Sequence, residues 1–271
     1  MFLDSKAHLL IEKMDRGEAV IGALMMSNSP QLIEIMAYVG FDYVIVDQMF
    51  TTVGWDSLGA AVRAARGSDL AVIARIENDP WYGGDQSGTS ARAARAMGIG
   101  CDGVKVNVYS AKQARDVVEA TAGWHRNPHV ITFEASEFNN PEQQAATSIL
   151  TVPSVESELG IKETPEILAI PGLRVFGIAM TDTSRMLGHP LEYEHPEVWK
   201  FVDATVEQAA AQGVHICAGT GYAFKEWDDI AGRVTRMHQH GLKMIFMQTP
   251  EFLFQVAVTD LLKRVRGALE A

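Results

Sequence analysis

Residues 20–47, VIGALMMSNSPQLIEIMAYVGFDYVIVD, hold one complete strand–helix–strand repeat. VIGALM (20–25) is an apolar run of the length of a buried strand. Ser29-Pro30 then offers a capping side chain followed by proline at the first helical position, where its missing N–H costs nothing. Ile33, Met36 and Ala37 continue the helix, and Gly40 stops it. YVIVD (43–47) is a second strand, apolar up to its last residue, Asp47. Two apolar strands joined by a crossover helix are parallel neighbours in a sheet covered on both faces.

The unit recurs outward from there. A helix over 55–66 leads to AVIAR (71–75), and GVKVNV (103–108) is followed by a helix capped by Ser110 and running to about Ala122. SILTVPSV (148–155), a helix over 157–169, LRVFGIA (173–179) and a long helix over 196–212 come next. Strands at 214–218 and 244–247 flank a helix over 225–240, and an amphipathic helix over 251–270 closes the chain. The irregular stretch 123–146 holds one possible extra strand, 129–134. Without it, eight strands alternate with helices, which predicts an α/β fold of the (β/α)8 TIM-barrel type. No linker or shift in composition divides the chain, so residues 1–271 read as one domain. A doubly wound open sheet has the same local pattern, but no GxGxxG follows the first strand.

Composition narrows the function classes. Hydrophobic residues at 47% and charged residues at 21% exclude a disordered chain. Lys+Arg number 23 against Asp+Glu 34, a net charge of −11, and no basic cluster is present; nucleic acid is not an expected partner. There is no run of about 20 apolar residues for a membrane span. The opening segment is charged throughout, and Cys101 and Cys217 are too few for a disulfide framework, which predicts a soluble, cytoplasmic protein.

In such a barrel, functional residues sit at the C-terminal ends of strands. Reading those ends yields Asp47, Arg75, Glu156 and Asp182. Glu156 and Asp182 follow neighbouring strands, and two hard oxygen ligands converging there suit Mg2+ or Mn2+. Each can equally be a helix N-terminal acid complementing a dipole. Arg75 can hold a carboxylate or oxo group, or pair structurally with Asp47 or Glu77. Lys105 lies inside the fourth strand; it can form a Schiff base or simply pair with a carboxylate. His125 and His129 are separated by Pro128 and read as a solvated loop, His215 as structural, and His238 and His240 as complements to a helix C-terminus. Gly83, Gly84 and Gly88 of WYGGDQSG give a weak phosphate-loop signal and suit a mobile loop over the barrel mouth at least as well.

Four separated segments resemble one family, the HpcH/HpaI aldolases, which are metal-dependent pyruvate aldolases on a (β/α)8 barrel. They are GALMMSNSPQLIEIMAYVGFDYVIVD (22–47), ARIENDP (74–80), VESELGIKETPEILAIPG (155–172) and FGIAMTDTSRMLGHP (176–190). The resemblance implies a catalytic arginine at Arg75, metal ligands at Glu156 and Asp182, and a keto-acid carboxylate held by Ala179, Met180 and Thr181. It implies a small 2-oxo acid as substrate, a Mg2+ or Mn2+ cofactor, and a homo-oligomer, hexamer or trimer, with the apolar last helix in the contacts.

The departures are specific. The family's second strand ends Asp-x-Glu-His, and its histidine is the usual general base. Here the stretch is Asp47-Gln48-Met49-Phe50. The Gly-Pro before the metal loop is Ala179-Met180, an aromatic near the first strand is Leu24, and an insertion over 81–90 brings Trp81 and Tyr82. Phe50 and Trp81 are therefore expected to shape the substrate site, and Asp47 or a metal-bound water to serve as base. The leading expectation is a carbon–carbon lyase. Decarboxylation of an oxaloacetate-type acid, which needs no proton removed from a hydroxyl, is the alternative, and a binding homologue without turnover is the second class.

Overall fold

A computed structural model describes residues 5–27, 29–77, 87–121, 149–221, 227–247 and 249–270. The possible strand at 129–134, Trp81 and Tyr82, and His125 and His129 lie outside them. Eight parallel strands close into a barrel in the order β1-β2-β3-β4-β5-β6-β7-β8, with β1 also pairing β8. They are β1 Val20–Met25, β2 Tyr43–Asp47, β3 Ala71–Arg75, β4 Gly103–Val108, β5 Leu150–Val155, β6 Val175–Ile178, β7 His215–Gly219 and β8 Met244–Met247. The (β/α)8 expectation holds, and closure rather than an open sheet removes every strand edge.

Helix α1 (Ala7–Asp15) precedes the barrel. The others are α2 Pro30–Val39, α3 Trp55–Ala64, α4 Ser87–Ile99, α5 Ala111–Thr121, α6 Glu158–Lys162, α7 Thr164–Leu168, α8 Met180–Met186, α9 Pro196–Ala211, α10 Trp227–Gln239 and α11 Pro250–Glu270. Ser29 caps α2 by accepting from Leu32 N at 3.4 Å, and Gly40 ends it at φ +93°, as the sequence pattern requires. Ser110 accepts from Gln113 N at 3.3 Å at the start of α5. The single helix expected over 157–169 is two short ones: Pro165 begins a new first turn at α7.

The strand pleat sorts side chains into two cores. One lies between strands and helices and includes Val44, Val46, Val72, Ala74, Val104 and Val106. The other fills the barrel with Val20, Leu24, Tyr43, Ile45, Ile73, Val152, Val175, Cys217 and Met244. Ala7, Leu10 and Met14 of α1 belong to this inner cluster and close its base. Two aspartates preceding strands tie that end together. Asp42 accepts from Ile21 N and from Lys13 Nζ, at 2.8 and 2.5 Å. Asp102 accepts from Val72 N and Lys6 N, both at 2.8 Å.

Gly22 of β1 faces the Tyr43 ring, where an added Cβ would lie 2.4 Å from Cε2. Tyr43 is fully buried and has no room to withdraw. Gly22→Ala should therefore cost about 1–3 kcal/mol of overpacking strain, read as a lower urea midpoint at unchanged m-value.

Candidate active site at the barrel mouth

Strand register puts Asp47 beside Arg75 and Arg75 beside Lys105, so three charged residues from β2, β3 and β4 share one layer of the inner face. Arg75 stands between two carboxylates. Its Nη1 lies 3.8 Å from Asp47 Oδ2 and its Nη2 donates to Glu156 Oε1 at 3.4 Å. The Phe50 ring covers the guanidinium, with its centroid 4.9 Å from Arg75 Cζ. Of the two structural partners the sequence offered, Asp47 is the one found; Glu77 faces Arg92 instead, at 3.8 Å.

Arg75, Lys105, Glu156, Ala179, Met180, Thr181, Asp182 and Phe50 line one cavity of about 310 Å3 at the barrel mouth. Leu24, Ile45, Ile178 and Phe246 supply its apolar wall, and Gly219, Thr220, Gly221 and Thr249 complete it from β7 and β8. Residues after β7 and β8 were missed by the sequence reading. Their signal was positional only, since Gly219-Thr220-Gly221 carries no charge to mark a strand end. Gly219 makes space for Phe246: a Cβ there would lie 2.4 Å from the ring.

Asp47 is placed differently from the other candidates. It is fully buried and is not part of the cavity lining. Its Oδ1 accepts from Met49 N at 2.9 Å, and its main-chain oxygen accepts from Thr51 Oγ1. It stands behind Arg75, holding the guanidinium. Met49 itself is engaged by Asn107, whose Nδ2 lies 3.0 Å from the sulfur.

Glu156 follows β5, and Ser157 beside it caps α6, accepting from Gly160 N at 2.9 Å. Burial pushes the Glu156 carboxyl up, Lys105 and Arg75 pull it back, and the Asp182 charge raises it further. Asp182 sits in the first turn of α8 and accepts from Arg185 Nη2 at 2.7 Å. Thr181 shares a hydrogen bond of 3.1 Å with the Tyr193 hydroxyl, which fixes the loop after α8 against the mouth. Burial lowers Lys105 to about 8, aided by Arg75, and raises the Cys217 thiol beneath it to about 11. His215 is structural, bonded to Asp15 at 2.8 Å, and His240 pairs with Asp203 at 2.6 Å.

Two groupings among the described residues offer metal ligands. Glu156 and Asp182 face the same cavity, and the Asp182 charge disfavours ionisation of Glu156, a repulsion that a bound dication would relieve. His189, Glu192 and His195 bring ligand atoms within 4.8 Å of one another after α8. The His189 and His195 imidazoles stack face to face with centroids 3.3 Å apart. His195 Nδ1 is also occupied, accepting from Glu197 N at 3.2 Å at the start of α9. The carboxylate pair is the better site for a hard ion.

A family model described as HpcH/HpaI aldolase/citrate lyase matches residues 21–250. The chain belongs to the HpcH/HpaI aldolase/citrate lyase family. Among its relatives, the 2-dehydro-3,6-dideoxy-6-sulfogluconate aldolase of Pseudomonas putida is 25% identical over 263 residues, covering 88% of this chain and 97% of that one. The 2-keto-3-deoxy-L-rhamnonate aldolase of Salmonella schwarzengrund is 27% identical over 210 residues, 74% of this chain and 75% of that one. The crystal structure of an HpcH/HpaI aldolase from Desulfitobacterium hafniense superposes with TM-score 0.74 at 21% identity, covering 94% of this chain and 95% of that one, which shows the shared fold.

Removing the guanidinium from this family barrel should expose the cost of the carboxylates around it. Arg75→Met leaves Asp47 buried without its cation, and the expected loss is about 3 kcal/mol or more. Asp47→Asn keeps an oxygen for Met49 N and should cost much less. Urea unfolding of the two variants measures the difference.

Proposed function

We propose that the protein is a divalent-metal-dependent carbon–carbon lyase acting on a 2-oxo acid. The observation that carries this is the meeting of Glu156, Asp182 and Arg75 in one cavity at the mouth of a family barrel. The relatives' names support the substrate class, since both are aldolases of 2-oxo sugar acids. Glu156 and Asp182 would hold Mg2+ or Mn2+, and an ion bound there would polarise a keto oxygen and stabilise the enolate.

The chain's own residues account for the rest. Arg75, held by Asp47, would neutralise charge developing on the keto oxygen. Ala179, Met180 and Thr181 would take the substrate carboxylate. Phe50 over Arg75 would keep water from the guanidinium, and Trp81, outside the described residues, is proposed as a further substrate-binding residue. Helix α11, with Phe254, Leu261 and Leu262 exposed, is proposed as the contact of a homo-oligomer. The chain is read as one domain and as cytoplasmic; no helix among the described residues is long and apolar enough to cross a membrane.

Phe50 favours a second reading. With no histidine at that position and Asp47 outside the cavity lining, a group to deprotonate a substrate hydroxyl is missing from the mouth's β2 side. Decarboxylation of an oxaloacetate-type acid generates the same enolate without that step.

Titration calorimetry with Mn2+ tests the metal site: Glu156→Ala and Asp182→Ala should each abolish binding while leaving the circular dichroism spectrum unchanged. Unaltered affinity in both variants would remove the metal reading. For the missing base, wild type should decarboxylate oxaloacetate readily and cleave aldols poorly. Phe50→His should raise aldol turnover toward the about 10²–10⁴-fold that a positioned base contributes, with decarboxylation little changed. Rapid aldol cleavage by wild type, indifferent to this substitution, would place the base elsewhere.

A further inference from the structure

Lys105 extends from the middle of β4 into the mouth cavity and is only 6% exposed. An ammonium taken out of water normally finds a carboxylate, because desolvation without a partner is expensive. Lys105 Nζ has no hydrogen bond and no ion pair with any described residue. The carboxylates of Asp47 and Glu156 are turned to Arg75 instead. Ile45, Ile178 and Phe246 line the same space, and Thr220 Oγ1, buried and without a partner, borders it. Burial, with Arg75 adjacent, weakens the amine as a base, against the pull of Glu156, Cys217 and Asp47.

An amine without an ion pair, in a cavity with an apolar wall and beside an arginine, has the makings of a carbonyl trap. We propose that Lys105 captures the keto carbon of a small 2-oxo acid as a covalent imine, a route independent of any metal on Glu156 and Asp182. The Nζ lone pair adds to the carbonyl carbon, and the C=O π pair moves onto oxygen. Both amine protons end on that oxygen, which leaves as water while the C=N bond forms. Protonated from solvent, the imine accepts electrons. In an acid with a second carboxylate on the adjacent carbon, CO2 departs and the C–C bond pair becomes the enamine double bond, neutralising the nitrogen. A solvent proton then adds to that carbon, and one water hydrolyses the iminium to the shortened 2-oxo acid and the free amine. Arg75, the register partner of Lys105 on β3, holds the carboxylate beside the keto group during capture.

The test is borohydride reduction of the full chain mixed with pyruvate in excess EDTA, read by intact-mass and peptide mass spectrometry. The expected result is one reduced pyruvyl adduct per chain, mapped to Lys105 in wild type and lost in both Lys105→Arg and Lys105→Met. Mapping in wild type needs no variant, so misfolding of a variant does not blur the answer. No adduct, or an adduct on another lysine, overturns the proposal. Mn2+ calorimetry on the same preparation separates the two chemistries: metal binding without an adduct leaves the lyase reading and ends this one, while an adduct without metal binding does the reverse.

Discussion

A single guanidinium organises the mouth of this barrel. Arg75 ends β3 with Asp47 on one side, Glu156 on the other and a phenyl ring above it. A largely buried cation is stabilised by the two carboxylates that face it, and they by the cation. The β2–β3–β4 register fixes the arrangement, since a slip by one residue would turn every member to the helix-facing side. The remaining polar groups at the mouth are positioned relative to this cluster.

The scaffold was readable because its signals are local and redundant. The run at 20–47 announces itself through a capping serine, a first-turn proline and a left-handed glycine, and each is found in that role. Strand ends marked by charge, such as Arg75 and Glu156, were equally plain. The uncharged edge at Gly219–Gly221 carried no such mark, although it forms one side of the cavity. Asp47 shows the opposite limit. Its position at a strand end suggested a reacting group, and the structure adds that it is buried outside the cavity lining, with Oδ1 accepting from the Met49 amide, which the sequence does not reveal. Lys105 is a further case: a lysine within a strand pattern does not reveal whether a carboxylate lies within reach.

The stretch 47–50 surrounds the cation with contacts that need no histidine. Met49 keeps a polar contact through sulfur to Asn107, and Phe50 lies over Arg75 rather than reaching for a proton. Under the proposed reading, the cation keeps its environment while Phe50 offers no acid–base group. Chemistry that depends on charge stabilisation is served by such an arrangement, and chemistry that depends on proton transfer is not.

Helix α1 has a consequence for traffic. Ala7, Leu10 and Met14 seal the base of the barrel, and the inner core above them is packed with side chains down to Val20 and Met244. The cavity is therefore a cul-de-sac. If the proposed cleavage takes place there, its two fragments would share the opening at the mouth, and the fragment nearer solvent would leave before the one lodged against Arg75. Release would then be ordered by the plug at the far end of the barrel, and the inner fragment would act as a dead-end competitor for the next substrate.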